Sequence, residues 1–215
     1  MSSERRRIAS AATLILVAYG LSRVLGAVRE LVIANTFGTG HSLDDYRVAF
    51  AVPDLLFNLL LAGAISSAFI PVLSEHLAKH EPKRAREIAE RVLNASILIL
   101  TVGAAVLFVV APLYVSLIAF GYSPKDHAFI TDLTRILLLQ PIFLGAGGMV
   151  IGILTAYQRF FAQALAPLFY NGAIIVAAAV FAPRYGVTAL AVGVVIGAML
   201  HVGVQLPSLW RTSSK

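Results

Sequence analysis

Gly20-Leu-Ser-Arg-Val-Leu-Gly-Ala-Val-Arg-Glu30 lies inside an otherwise apolar segment, residues 8–37. A bilayer span needs roughly 20 predominantly apolar residues, so the segment is long enough. Yet it holds Arg23, Arg29 and Glu30 well inside it. A charge at mid-bilayer costs roughly 2.5–3.5 kcal/mol on insertion scales, so such side chains turn to a bundle interior or a wet cavity. On a helix, Ser22, Gly26 and Arg29 fall near one line, and Arg23 and Glu30 on the neighbouring one. Gly20 and Gly26 permit a local break or a close helix approach. The stretch reads as a polar, cationic wall built into a membrane helix, enclosed by the rest of the chain.

Of the 215 residues, 59% are hydrophobic and 13% charged. A soluble domain has about 45–50% and about 25%. The fold class that follows is all-α, a polytopic membrane helix bundle. The start, Glu4-Arg-Arg-Arg7 before a long apolar run, has the order of a secretory leader. The run is too long for one, and no small-residue cleavage site follows it. It reads instead as a cytoplasmic anchor before the first span. The chain has no cysteine, which excludes disulfides and thiolate chemistry. Its net charge of +6 is not a nucleic-acid signal, because the basic residues cluster in short loops, where they set topology.

The apolar runs predict six transmembrane helices, at about 8–37, 46–77, 92–120, 130–157, 162–182 and 187–209. Pro53 lies inside the second and is expected to kink it. Asp54 and Asn58 sit one turn apart on that helix, followed by Gly63, Ser66 and Ser67, small residues of the kind that let membrane helices pack closely. The charged stretch 75–91, with Pro82 in its middle, reads as a cytoplasmic loop flanked by helix ends. Pro141 and the cluster Gly145, Gly147, Gly148 interrupt the fourth span; Gly193, Gly197 and Gly203 lie on the sixth, with Trp210 and Arg211 as interfacial anchors.

Six spans place both termini on one side. With the N-terminus inside, 11 lysines and arginines fall in inner segments, 3 in outer ones (Arg47, Lys125, Arg184) and 3 within spans (Arg23, Arg29, Arg135). Cytoplasmic loops carry the excess of positive charge, so both termini are expected in the cytoplasm.

Several motifs are familiar together. Ser22-Arg-Val-Leu-Gly-Ala-Val-Arg29, Phe37-Gly38, Ala49-Phe50, Pro53, Gly63-Ala64 and Ser66-Ser-Ala-Phe-Ile-Pro-Val-Leu73 resemble the MviN/MurJ family. So do Tyr157-Gln-Arg-Phe-Phe161, Leu165-Ala-Pro-Leu168, Tyr170-Asn171, Ala182-Pro-Arg-Tyr-Gly186 and Val204-Gln-Leu-Pro207. The resemblance runs in order along nearly the whole chain. It implies a flippase of lipid II, the undecaprenyl-pyrophosphate-linked peptidoglycan precursor, in the bacterial cytoplasmic membrane. It also implies a superfamily of multidrug and lipid-linked oligosaccharide exporters. That family has about twice this many spans, in two lobes around a central cavity, so residues 1–215 are expected to be a single N-terminal lobe. A second lobe of six to eight helices, on a missing C-terminal part or another chain, is the expected protein partner. The family usually has Asn where Asp54 stands, a basic pair where Phe57-Asn58 stands, and Glu where Ala62 stands. The cationic wall is therefore thinner on the second helix.

Within that resemblance Arg23 and Arg29 read as clamps for a pyrophosphate. Guanidinium presents a planar fork of donors matched to phosphate oxygens and does not lose its charge. The alternative is a structural ion-pair network with Glu30 or Asp54. Glu30 is expected to orient an arginine. Asp54 is expected as a counter-ion to Arg23 or Arg29, with a proton or cation handle as the other reading. Asn58 and Ser22 are cavity-lining candidates, though each is more commonly a helix–helix hydrogen bond. Asp132 with Arg135 reads as an interfacial pair, and His201 with Gln205 as a packing or hydrogen-bond pair. His76 and His80 have no metal-ligand partners at suitable spacing, so no metal site is expected. No nucleophile–base pair, HExxH, P-loop or dinucleotide fingerprint appears, so neither an enzyme nor a cofactor is expected. Export of another lipid-linked oligosaccharide, or a non-transporting scaffold half-unit, stands as the alternative function.

Overall fold

In hydrocarbon a segment must satisfy its own backbone hydrogen bonds, so apolar runs of this length fold as helices. The computed structural model describes residues 3–38, 40–60 and 66–213, and within them all side chains except those of 3–12, 14–15, 60, 66–68 and 212–213. The order is α1 Ser3–Phe37, α2 His41–Leu60, α3 Ser66–Ala78, α4 Pro82–Ile118, α5 Pro124–Leu137, α6 Leu139–Ala156 and α7 Phe160–Val176. A π-helical turn, Ala177–Phe181, leads into α8 Ala182–Tyr185, then α9 Val187–Gly203 and α10 Leu206–Ser213. The chain is an all-α, multi-pass membrane bundle. Among the described residues, four helical runs are long and apolar enough to cross a membrane: Pro82–Ile118, Pro124–Ala156, Phe160–Tyr185 and Val187–Arg211. α1, at 35 residues, has the length but carries the charged stretch.

A proline explains where one of the expected spans divides. The run at 130–157 comes as α5 and α6, stepping at Leu138; Pro141 has no N–H for the carbonyl of Leu137, four residues back. The run at 46–77 comes as α2 and α3. Ala62 and Gly63 lie outside the described residues, and the side-chain contacts expected of Ser66 and Ser67 lie outside the described side chains. The stretch 75–91, expected as a loop, is mostly helix. α3 runs to Ala78, His80 takes a positive φ of 57°, and Pro82 starts α4 at a position where its missing N–H costs nothing. Its charges pair along the helix surface, Lys79 with Glu75 and Arg86 with Glu90.

Two carbonyls freed by proline find side-chain donors. Pro53 leaves Ala49 O without a helical partner, and the buried Thr134 hydroxyl on α5 lies 3.3 Å from it while also reaching Ile130 O at 2.8 Å. Pro112 leaves Phe108 O free, and Arg135 Nε donates to it at 3.4 Å with its guanidinium 5.0 Å from the Phe108 ring centroid. Arg135 also pairs with Asp132 at 3.6 Å, the pair expected from their spacing. Elsewhere glycine permits close approach: a methyl at Gly197 on α9 would stand 2.8 Å from Tyr170 O on α7.

The turns sort to two ends. At one, Tyr157, Ile88, Val92 and Leu209 pack against one core cluster, and Arg159 Nη2 donates to Arg211 O at 3.5 Å. α1 and α7 run parallel, since Tyr19 meets Gln163 and Arg29 meets Asn171. The N-terminal half of α1 therefore lies toward the same end as the α6–α7 turn. At the other end His41 stacks on Tyr122, and Leu43, Ala119 and Val187 share one core cluster. The first end carries Lys79, Lys83, Arg84, Arg86, Arg91, Arg159 and Arg211; the second carries Arg47, Lys125 and Arg184.

Two outcomes are expected. Thr134→Val should cost about 1 kcal/mol by leaving Ala49 O short of a donor. That cost should shrink when Pro53→Ala restores the backbone N–H, which a double-mutant cycle of thermal melts in detergent measures. Single cysteines at Lys83 and Lys125, introduced into this cysteine-free chain, should react with an impermeant reagent from opposite faces of the membrane. Labelling of both from one face would overturn the two-ended arrangement.

Candidate functional site

α1 contributes its charges to a seam with α7. Arg29 Nη1 donates to Asn171 Oδ1 at 3.1 Å, and Nε donates to Glu30 Oε1 at 3.1 Å, with Nη2 on the same oxygen. Glu30 thus orients Arg29, while its own side chain stays 65% exposed against 27% for the arginine. Asn171 is buried and held in turn, its Nδ2 donating to Pro167 O at 3.0 Å, which points Oδ1 at the guanidinium. Tyr170, the neighbour on α7, lies within electrostatic reach of both Arg29 and Asp54, and Tyr46 on α2 within reach of Arg29 and Glu30. Polar groups of α1, α2 and α7 therefore converge on one region.

The expected ion pair between Asp54 and Arg23 or Arg29 is not formed. Asp54 Oδ2 accepts from Asn58 Nδ2 at 2.9 Å, one turn along α2. Arg23 is exposed and has no hydrogen-bond or ion-pair partner among the described residues. Ser22 faces a crevice between α1 and α7, lined also by Tyr19, Gln163 and Pro167, of only ≈10 Å³. That is room for about one water, so Ser22 sits in a helix contact. Nothing stands within 4 Å of where a Cβ would be on Gly20 or Gly26, and α1 is one continuous helix. These glycines make neither a break nor a close contact here. Gly20 lies on an open face that also exposes Leu16, Val17, Val24 and Leu31, whereas Gly26 lies on the line of Ser22 and Arg29.

Asn171, Tyr170 and Tyr46 were not among the site residues read from sequence. The available signal was an amide one turn after Pro167 inside an apolar span, where side-chain hydrogen bonds between helices are concentrated. His201 and Gln205 do form a buried hydrogen-bond pair, Gln205 Nε2 donating to His201 O at 2.7 Å. At the basic end, His76 Nδ1 and Glu81 Oε2 are 2.8 Å apart, and that bond holds the Glu81 carboxyl below its ordinary range.

The motifs quoted from the sequence can now be set against known proteins. The family model described as "Lipid II flippase MurJ" matches residues 33–215. The chain belongs to this family. It is 36% identical over 197 residues to the "Lipid II flippase MurJ" of Burkholderia cenocepacia, covering 88% of this chain and 37% of that protein. It is 31% identical over 194 residues to the "Probable lipid II flippase MurJ" of Rhizobium meliloti, covering 88% of this chain and 36% of that one. Among solved structures, a lipid II flippase MurJ in an inward closed conformation superposes with a TM-score of 0.74 at 27% identity, over 93% of this chain and 42% of that one. An inward-facing multidrug transporter of the MATE family shares the fold, with a TM-score of 0.74 at 14% identity over 49% of its length. The family is one of flippases rather than catalytic enzymes, and the chain spans less than half the length of these relatives.

The two arginines should differ in what they do for the fold. Arg29→Ala leaves Asn171 Oδ1 without its donor and is expected to cost about 1 kcal/mol. Arg23→Ala breaks no hydrogen bond or ion pair among the described residues and should stay within about 0.5 kcal/mol of the parent. Thermal melts in one detergent, with helicity as the control, compare them.

Proposed function

We propose that this chain is one lobe of a two-lobed flippase that carries lipid II across the bacterial cytoplasmic membrane by alternating access. Arg23 carries the reading: its guanidinium has no hydrogen-bond or ion-pair partner among the described residues and stands on an exposed face of a membrane helix, about one and two-thirds turns from the tethered Arg29. An uncompensated charge in that position is costly and is kept where it serves a substrate or ion path. The headgroup of lipid II bears a pyrophosphate, and a guanidinium fork meets phosphate oxygens in pairs. Arg23 and Arg29 lie about 9 Å apart along the α1 axis, more than one pyrophosphate spans. The anion would pass from one to the other as the lobe rocks against its partner, with the lipid tail remaining in the bilayer.

In this reading Arg23 takes the anion first because no side chain among the described residues pairs with it. Arg29 is held ready by Glu30 and Asn171, and Asp54 with Asn58 lines the α2 side of the cavity. Ser22 stays at the edge of the path, in the α1–α7 contact. The open face of α1 is where a second lobe of six to eight helices would close the cavity, either a further part of a longer chain or another chain. The basic end of the bundle and both termini would be cytoplasmic. No bond is broken in the substrate, and no cofactor is called for.

The test is substitution by lysine, which keeps charge and removes the fork. Arg23→Lys and Arg29→Lys, joined to a full second lobe, should bind lipid II at least tenfold more weakly and fail to support growth when the resident flippase is depleted, at normal protein abundance. Normal binding and growth with both lysine variants would sink the clamp mechanism. Preference for a different lipid-linked sugar over lipid II would reassign the cargo.

A further inference from the structure

At the end of the bundle away from the basic turns, three side chains from two distant segments meet. His41 opens α2, Asp45 follows one turn later, and Asp126 lies in the first turn of α5. His41 Nε2 is 3.7 Å from Asp45 Oδ1 and 3.8 Å from Asp126 Oδ2, and one ligand atom from each residue lies within 4.8 Å of the others. These distances exceed a hydrogen bond. Asp45 is 5% exposed, and its Oδ1 has no hydrogen-bond partner among the described residues although it is buried and turned toward the imidazole. A buried carboxylate oxygen without a donor is costly unless a cation or proton compensates it.

The surroundings hold the other two groups in place. The His41 ring stacks on Tyr122 with centroids 5.1 Å apart and planes at 24°. Asp126 Oδ2 accepts from Ser123 N at 3.2 Å and from Ser123 Oγ at 2.7 Å, the capping box of α5. Outer partners of this kind orient ligands in metal sites. Asp44 and Arg47 pair with each other beside the cluster at 3.6 Å, so Arg47 is engaged by Asp44. His41 is 64% and Asp126 32% exposed, so an ion and its waters can enter.

We infer that His41, Asp45 and Asp126 form a binding site for a divalent transition-metal cation of the zinc type, tying the start of α2 to the start of α5. One imidazole nitrogen and two carboxylate oxygens suit zinc, with water completing the shell. Ligands held at about 2.0–2.1 Å in a tetrahedron stand about 3.3 Å apart, so the imidazole closes on each carboxylate by about half an ångström, and the two carboxylates, within 4.8 Å of each other, draw together around the ion. Magnesium and calcium ask for six or more oxygens, which this set does not supply. The inference is independent of the cargo and of the cavity arginines.

The test uses the whole chain without a polyhistidine tag, purified in detergent and stripped with a chelator. Titration with zinc chloride by calorimetry should give one saturable site per chain, reversed by chelator, with no comparable heat from magnesium or calcium chloride. Cobalt chloride should give a visible absorption band that zinc removes. Asp45→Asn and His41→Gln should each weaken zinc binding roughly tenfold or more, the scale set by losing even an outer partner of a ligand. His76→Gln with His80→Gln, and Asp44→Asn, should leave it unchanged. If Asp45→Asn does not fold, the exposed His41→Gln decides alone. Absence of saturable zinc binding in the parent chain overturns the inference. So does binding that survives His41→Gln, or that is lost with His76 and His80.

Discussion

Hydrocarbon offers no water to a stranded carbonyl or a buried charge, and that constraint accounts for most of the polar detail in this bundle. The helices answer it first for the backbone. Where proline removes an N–H, a side chain from another helix takes over the vacant carbonyl: Thr134 at Ala49 and Arg135 at Phe108. Arg135 shows how an ionisable residue in an apolar span can have a structural task. Its guanidinium caps a carbonyl, lies over an aromatic ring and pairs with Asp132, all at once.

The same constraint separates Arg29 from Arg23. Arg29 is satisfied by Glu30 and by an asparagine that its own helix contacts hold in register. Arg23 has no such provision among the described residues, and the face it occupies is apolar and uncovered. A charge left open within an apolar face makes physical sense when something else completes the surface. The relatives are more than twice as long as this chain, and family membership together with the exposed face supports reading that surface as the side of a cavity. On the proposed reading, the order of the two arginines along one unbroken helix would make a path rather than a single pocket.

The two ends of the bundle differ in chemistry as well as in charge count. The basic end is built from short-range helical pairs, Lys79 with Glu75 and Arg86 with Glu90, exposed pairs that contribute little to stability. The opposite end has few cations and collects carboxylates, among them the buried Asp45. An excess of arginine and lysine at one end orients a membrane protein during insertion, whereas a buried carboxylate facing an imidazole needs a specific partner.

Much of this was legible in the residues. Composition and run length determine an all-α membrane bundle, because an apolar segment in hydrocarbon has few alternatives to a helix. The ordered motifs carried the family, and the distribution of arginine and lysine told which turns belong together. The spacing of Asp132 and Arg135, and of His201 and Gln205, was enough to pair them, since residues three or four apart share a helix face. Tertiary structure decided what sequence distance hides. Sequence placed Asp54 opposite an arginine, but the nearer partner, Asn58, was one turn away on the same helix. Asn171 reaches Arg29 across 142 positions, and Asp126 reaches His41 across 85, because the packing of α1 on α7 and of α2 on α5 brings them together. Periodicity reports the face a residue occupies on its own helix; which helix lies against that face depends on how the whole chain packs.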